Sequence, residues 1–180
     1  MSGLNQRRAV RYFAYGSNLS LARLRARTPS ACRLGCYALA AHALRFHKIG
    51  RDGSGKCDAL FTGDPRDTVP GAVFEIDVAE KWRLDEAEGL GNGYEEKWVQ
   101  VVSAAGETLQ AVTYYATRLD ANLKPYSWYM QHVLCGARES GLPAAHARWL
   151  QAVASIEDPD RGRDNRERAI YGGVRQRRGG

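Results

Sequence analysis

The sequence predicts an α+β domain with a mostly antiparallel sheet. The predicted strands come first, with one short helix between the early strands, and two helices follow near the end. Strands and helices do not alternate regularly, which argues against a doubly wound parallel sheet. The length of 180 residues suits one domain that can bury a sizeable core without disulfides. Whether the sheet curls into a barrel is left open by this pattern.

The predicted elements follow from residue type, spacing and turn signals. The predicted strands are residues 10–15, 36–47, 59–62, 71–76, 97–103 and 108–116. The predicted helices are residues 20–27, 77–89, 129–140 and 143–155. Asp77 and Glu80 have capping-box spacing, and Gly89 is a natural C-terminal stop for that helix. The short strand at 59–62 lies in a Gly-, Asp- and Pro-rich stretch, which predicts a long loop.

Positive charge is concentrated near the C-terminus. The formal net charge is +6, and the stretch from Arg161 onward holds seven arginines and two acidic residues, so the remainder carries only +1. We therefore predict a folded domain at 1–160 and an arginine-rich, disordered tail at 161–180. Such a tail can bind nucleic acid weakly through phosphate contacts or simply be solvated. The folded body itself is not expected to bind nucleic acid.

Several classes of protein find no support in the sequence. No apolar stretch reaches the 18 residues of a membrane span, and the first residues lack the apolar segment of a signal peptide. We therefore expect a cytoplasmic protein with no membrane partner. Neither a Gly-x4-Gly-Lys-Ser/Thr loop nor a Gly-x-Gly-x-x-Gly loop is present, and GLGNG at 89–93 does not open a helix. Ser17 lies outside a Gly-x-Ser-x-Gly motif, and no histidine is marked as its base.

The cysteines are expected to be reduced, packed thiols. They are Cys32, Cys36, Cys57 and Cys135. Three of them, together with His42 and His47, could be argued as a zinc site. However, no Cys-x2-Cys pair is present, and a strand over 36–47 spreads its side chains over two faces. We predict neither a metal nor any other cofactor.

The stretch YFAYGSNLS, residues 12–20, changes abruptly from apolar to small and polar residues at Gly16. One interpretation is a simple turn. The other is an anion site, because glycine lets the backbone approach a ligand and N–H groups near a helix start favour negative charge. These residues alone leave both interpretations open.

The acidic helix end LDEAEG places Glu88 in the last turn, near Asp85 and Glu86. The helix C-terminus and the neighbouring carboxylates both favour the protonated form of a carboxyl group. A partly buried carboxyl in this position would suit general base catalysis near neutral pH. The alternative is a solvated acidic turn.

Tyrosine is the other prominent residue type, with nine copies. Six lie on or beside predicted elements: Tyr12, Tyr15, Tyr94, Tyr114, Tyr115 and Tyr129. A tyrosine offers an apolar body and one hydroxyl, which can orient a small polar ligand. Each one taken singly is equally compatible with a core or rim position.

Four segments taken together resemble the gamma-glutamylcyclotransferase family. They are YFAYGSNLS, LDEAEGLGNGY, VTYYAT and YMQHVLCGARESGLP, in the family's order and at similar separations, over roughly residues 11–156. The residues GSNLS resemble the branch that acts on gamma-glutamyl amino acids, in its bacterial-type form, more than the glutathione-specific branch. The loop at 47–70 and the arginine-rich tail depart from the family pattern.

The resemblance implies a mixed, mostly antiparallel sheet that forms a small barrel with flanking helices. It implies that Glu88 is the acid/base residue. It also implies a set of substrate-binding residues, namely Tyr15, Gly16, Ser17, Asn18, Leu19, Tyr94, Tyr114 and Tyr129. The implied reaction converts a gamma-glutamyl amino acid to 5-oxoproline and a free amino acid, within glutathione metabolism.

This chemistry would need no protein nucleophile, because the substrate's own α-amine attacks its γ-carbonyl. Two alternatives stay open for the same fold, namely a gamma-glutamylamine or biosynthetic intermediate as substrate, and a non-catalytic module that binds a small ligand or an acidic partner. The sequence also leaves open whether the chain is a monomer or a homodimer.

Overall fold

Seven strands and five helices follow one another along residues 8–172, the part of the chain that the computed structural model describes. The strands are β1 (Ala9–Ala14), β2 (Cys32–Ala40), β3 (His42–Ile49), β4 (Gly55–Phe61), β5 (Thr68–Asp77), β6 (Tyr94–Ser103) and β7 (Thr108–Ala116). The helices are α1 (Leu21–Arg27), α2 (Lys81–Glu88), α3 (Ser127–Glu139), α4 (Ala144–Gln151) and α5 (Arg161–Ala169). Short 3-10 turns at Ser17–Leu19 and Val78–Glu80 precede α1 and α2.

Five strands form a closed barrel in the order β1-β5-β2-β6-β7. The neighbouring pairs are antiparallel except for β1 with β7, which run parallel and close the barrel at Tyr12 and Val112. Strands β3 and β4 form a separate two-stranded sheet. The prediction of a mixed, mostly antiparallel barrel with flanking helices is confirmed.

The core lies inside the barrel and beneath α3. Phe13, Phe74 and Val101 are fully buried because they lie on inward-facing positions of their strands. Helix α3 buries Val133 and Ala137 in the core and packs on the turn at Ser17–Leu19, and Gly136 lies where a Cβ would be 2.2 Å from the carbonyl carbon of Leu19. This close approach fixes the turn after β1 against the longest helix.

Two predicted elements differ from the structure. The predicted strand at 36–47 is two strands, because the chain turns at Ala41, which adopts a left-handed φ of 59°. No glycine, asparagine or proline marks this turn in the sequence. Strand β4 is longer than the predicted 59–62, because it pairs with β3 along most of its length. The loop between β3 and β4 is therefore much shorter than predicted.

The prediction of a disordered tail from Arg161 is wrong over α5, while residues 173–180 lie outside the described part. Helix α5 has little apolar surface and is held by charged groups instead. Asp160 caps it by accepting a hydrogen bond from the N–H of Arg163 at 2.9 Å. The Arg163 guanidinium also donates two bonds of 2.6 Å to Asp158. A prediction of disorder from low apolar content misses a helix that is held by charged hydrogen bonds.

Candidate active site

The turn between β1 and α1 lines a cavity and holds three backbone N–H groups without a partner among residues 8–172. The N–H of Leu19 donates to the Gly16 carbonyl at 3.0 Å, and the N–H of Ser20 donates to the Ser17 carbonyl at 3.3 Å. Within residues 8–172, the N–H groups of Gly16, Ser17 and Asn18 have no hydrogen-bond partner. All three residues line the inner part of the cavity, where unsatisfied donors can bind an anion.

Gly16 is required by a close approach rather than by a positive φ. A Cβ at this position would lie 2.9 Å from the Cβ of Cys57 and 3.2 Å from the hydroxyl of Tyr129. Cys57 cannot easily move, because its N–H donates to Tyr129 at 3.0 Å and its carbonyl accepts from the Tyr94 hydroxyl. The glycine therefore lets the turn lie directly against the tyrosines of the cavity.

Glu88 is the last residue of α2, and Asn18 and Arg27 hold its carboxylate. One carboxylate oxygen, Oε1, accepts from the Asn18 amide at 2.8 Å and from the Arg27 guanidinium at 2.6 Å. The same Arg27 nitrogen donates to Oδ1 of Asn18 at 2.7 Å, which closes the triangle. The other oxygen, Oε2, has no hydrogen-bond partner among residues 8–172. One oxygen thus orients the group, and the other is available to a ligand.

The acidic neighbours of Glu88 are not arranged as a cluster of repelling carboxylates. Asp85 forms an ion pair with Lys81 and accepts a hydrogen bond from the Tyr114 hydroxyl at 2.6 Å. Glu86 is exposed on the opposite side of the helix end. The cation nearest to Glu88 is Arg27, so the like-charge argument from the sequence does not describe this site.

Four predicted tyrosines surround the inner part of the cavity, and each is nearly fully buried. Tyr15 donates to the Tyr114 carbonyl at 2.6 Å, and Tyr94 donates to the Cys57 carbonyl. Tyr129 accepts from the N–H of Cys57, which leaves its own O–H as a donor. Burial raises the pKa of all four hydroxyls above the ordinary value of 10, so the tyrosines are neutral near pH 7.

The cavity has a narrow inner cleft and a wide outer chamber. The cleft measures about 20 Å³, which accommodates a single small group such as a carboxylate. The outer chamber measures about 360 Å³. Ser17, Glu88, Tyr94 and Tyr129 line both parts. A ligand could therefore place one end beside the free N–H groups and extend past Glu88 into the chamber.

Comparison with known proteins supports the assignment that this geometry suggests. A family model described as the AIG2-like family matches residues 68–150. A human protein named gamma-glutamylcyclotransferase is 31% identical over 147 residues, which cover 79% of this chain and 77% of the human protein. The chain belongs to the gamma-glutamylcyclotransferase family. The predicted family resemblance and the prediction of an enzyme of this family are confirmed.

Two further relatives agree with this membership. A mouse gamma-glutamylcyclotransferase is 30% identical over 151 residues, which cover 81% of this chain and 79% of the mouse protein. A solved structure of a gamma-glutamyl cyclotransferase superimposes with a TM-score of 0.82 at 27% identity, covering 92% of this chain and all of that structure. Family membership supports cyclisation of gamma-glutamyl compounds as the general chemistry.

The structure brings together all but one of the residues that the resemblance implied. Glu88, Tyr15, Gly16, Ser17, Asn18, Tyr94, Tyr114 and Tyr129 all line the cavity. Leu19 does not: its side chain is fully buried in the core, and its N–H is used inside the turn.

Sequence reasoning missed most of the outer chamber. The sequence predicts Arg27 only as the end of a short helix. No sequence pattern links it to Glu88, which lies 61 residues later in the chain. Lys48 and Arg51 lie in the loop at 47–70, to which the sequence assigned no site residue. Arg163 and Glu167 also line the chamber, although they were assigned to a disordered tail. Only contacts between distant segments reveal these residues.

The described residues hold no group of three or more His, Cys, Asp or Glu side chains that could bind a metal ion. His47 instead contacts Asp58 at 2.8 Å, and His42 contacts Lys97 at 2.8 Å. Cys32 and Cys57 are free thiols, the first exposed and the second buried. No helix in residues 8–172 is long and apolar enough to cross a membrane.

Proposed function

We propose that this protein cyclises a gamma-glutamyl amino acid to 5-oxoproline and releases the free amino acid. The supporting observation is the arrangement around Glu88, whose Oε1 is fixed by Asn18 and Arg27 while Oε2 has no partner among the described residues. Residues 16–18, whose N–H groups have no partner among the described residues, line the inner cleft together with Glu88. An anchored base next to an anion site suits a substrate that carries both an amine and a carboxylate.

In the proposed complex, the α-carboxylate of the glutamyl unit occupies the inner cleft. The N–H groups of Gly16, Ser17 and Asn18 donate to it, because adjacent backbone donors form a favourable anion site. The cleft volume of about 20 Å³ matches one small group rather than the whole substrate. The γ-carbonyl and the leaving group then extend into the outer chamber past Glu88.

The reaction begins with transfer of a proton from the substrate's α-ammonium to Oε2 of Glu88, because an ammonium cannot act as a nucleophile. The neutral amine attacks the γ-carbonyl and closes a five-membered ring. Collapse of this intermediate breaks the original amide bond as Glu88 returns its proton to the leaving nitrogen. Glu88 then takes the second proton from the ring nitrogen and passes it to the released amine, which leaves as an ammonium. No water is consumed, and intramolecular attack can contribute on the order of 7–11 kcal/mol toward the barrier.

The carbonyl oxygen gains negative charge during the attack and needs a nearby donor. The hydroxyl of Tyr129 is suited to this role, because it accepts from Cys57 and keeps its own proton to donate. Its raised pKa keeps it protonated at neutral pH. Asn18 does not supply this donor, because its amide group already serves Tyr12 and Glu88.

The variant Glu88→Gln tests the base directly. It keeps the size of the side chain and its bond from Asn18, so turnover of gamma-glutamyl-alanine should fall at least about 100-fold. The control is Glu86→Gln, the same change on an exposed residue of the same helix, which should retain activity. Unchanged turnover in Glu88→Gln would exclude Glu88 as the base.

The alternative substrate is a gamma-glutamylamine, which lacks a carboxylate on the leaving group. It would react through the same steps at Glu88. The two substrates differ only in the leaving group, which lies in the outer chamber.

The cytoplasmic location and a homodimeric state remain predictions. Cell fractionation tests the first, and light scattering of the purified chain tests the second.

A further inference from the structure

Lys48 is a buried cation without an ionic partner. The residue is 5% exposed, and its ammonium makes no ion pair or hydrogen bond with any side chain in the described part of the molecule. Burial lowers the pKa of Lys48, while the charge of Glu88 opposes this effect. Its contact is the face of Tyr94, with the ammonium 4.5 Å from the ring centroid. An unpaired buried charge is costly, so its presence calls for an explanation.

The ammonium of Lys48 lines the outer chamber. Three other cations in the chamber are already paired: Arg23 with Glu167, Arg27 with Glu88, and Lys56 with Asp52. Lys48 differs from these three cations, because it forms no ion pair with any described residue of the cavity wall and feels the charge of Glu88 only from a longer distance. This side chain supplies an unused donor beside the site where the leaving group would lie.

Arg51 lies close to Lys48, at the rim of the same chamber. Its guanidinium donates only one long bond, of 3.3 Å, to the carbonyl of Glu86, and it too has no carboxylate partner within residues 8–172. Both cations lie against the glycine loop that follows α2. A Cβ at Gly89 would be 3.1 Å from the Arg51 guanidinium, and a Cβ at Gly93 would be 3.3 Å from Cε of Lys48.

The loop GLGNG therefore has a structural reason for its glycines. Gly89 and Gly93 adopt φ values of 75° and 112°, which favour glycine, and they leave room for the two cations. The loop and the hairpin of β3 and β4 together hold Lys48 and Arg51 on one side of the chamber.

We infer that Lys48 and Arg51 bind the carboxylate of the leaving group and so select gamma-glutamyl amino acids over gamma-glutamylamines. In an amino acid leaving group, the carboxylate is one carbon away from the nitrogen that departs. The α-carboxylate of the glutamyl unit is already bound by the backbone N–H groups of the inner cleft. The two cations would therefore meet the second carboxylate of the substrate, and this inference rests on the proposed function.

The test compares two substrates that differ only in this carboxylate, L-gamma-glutamyl-L-alanine and L-gamma-glutamyl-L-alaninamide. We expect the wild-type chain to prefer the acid by about 10- to 100-fold in kcat/KM, as a charge-assisted hydrogen bond in a buried site would give. In Lys48→Met, kcat/KM for the acid should fall until the preference is less than about threefold. Turnover of the alaninamide should change little.

A matched control and a second variant accompany this measurement. Lys124→Met makes the same change of charge on an exposed residue outside the chamber lining and should keep the full preference. Arg51→Gln alters an exposed rim residue and should reduce the preference severalfold without affecting folding. The melting temperature of Lys48→Met should be no lower than that of the wild type, because the variant removes a buried charge without an ionic partner.

Other outcomes separate this inference from the proposed function. Equal loss on both substrates in Lys48→Met would overturn the inference, because it would mean that Lys48 acts on the shared glutamyl part or on the fold. Equal wild-type turnover of acid and amide would also overturn it, while leaving the cyclisation intact. Failure of the wild type to release 5-oxoproline from either substrate would contradict the proposed function, and the inference with it.

Discussion

Glu167 couples α5 to the wall of the active-site cavity, and its loss should be costly. Its carboxylate forms an ion pair with Arg23 and a hydrogen bond of 2.9 Å with Nε2 of His132, whose pKa is lowered by burial. The side chain of Arg23 is only 10% exposed. Removing the charge of Glu167 would leave a buried guanidinium without a carboxylate partner, which is one of the more destabilising changes available to a protein.

The magnitude follows from the pKa of Glu167. Burial alone would raise this pKa, but bonds and charge from His132 and Arg23 outweigh burial and lower the pKa from 4.5 to about 2. This difference corresponds to about 3 kcal/mol of folding stability at neutral pH. A glutamine at this position keeps some hydrogen bonding, so we expect Glu167→Gln to lose about 2–3 kcal/mol and roughly 5–10 °C in Tm.

The assay is thermal unfolding followed by near-ultraviolet circular dichroism. Glu157→Gln is the control, because Glu157 is an exposed glutamate outside α5. The lowered pKa of Glu167 also determines how its contribution to folding stability depends on pH. The contribution of Glu167 is complete above about pH 4.5, and it is lost as the pH falls toward 2. A melting temperature for Glu167→Gln within 1 °C of the control, at about pH 7, would refute this reasoning.

Two further predictions concern Arg27 and Cys57. Arg27→Gln should lower kcat about tenfold or more, because Glu88 loses its ion pair and its fixed orientation. Arg25→Gln, in the same helix, should not lower kcat. Steady-state kinetics measures both variants, and equal rates would contradict the role of Arg27. Cys57 should resist alkylation by iodoacetamide at pH 8, because it is 1% exposed and burial raises its pKa to about 12. Exposed Cys32 should react and serves as the control. Mass spectrometry identifies the modified site, and rapid modification of Cys57 would show that the inner cleft opens.

Local sequence signals were sufficient for the elements that carry the proposed chemistry. The apolar run before Gly16 forms β1, and Ser20 caps α1 through the N–H of Arg23. Asp77 accepts from the N–H of Ala79, and Gly89 ends α2 in a left-handed conformation, so Glu88 lies where the helix signals predicted. These signals act within a few residues and therefore remain visible in a single sequence.

Contacts between residues that are far apart in the sequence leave no such local signal. Glu80 does not complete the capping box, because its carboxylate accepts from Ser30, 50 positions earlier. Helix α5 docks through an ion pair with Arg23 in α1 and a hydrogen bond with His132 in α3. Strand β3, which carries Lys48, is separated from β2 by a turn at Ala41. In each case tertiary packing overrides the local pattern, and no residue type marks the position.

The central claim is that the amide bond is broken by the substrate's own amine and not by water. The most direct test is the reaction of L-gamma-glutamyl-L-alanine in water enriched in oxygen-18, with the products identified by mass spectrometry as they first appear. Unlabelled 5-oxoproline should be the direct product, and the substrate acetylated on its α-nitrogen should not be turned over. Labelled glutamate as the first product would contradict intramolecular cyclisation, whatever the effect of Glu88→Gln.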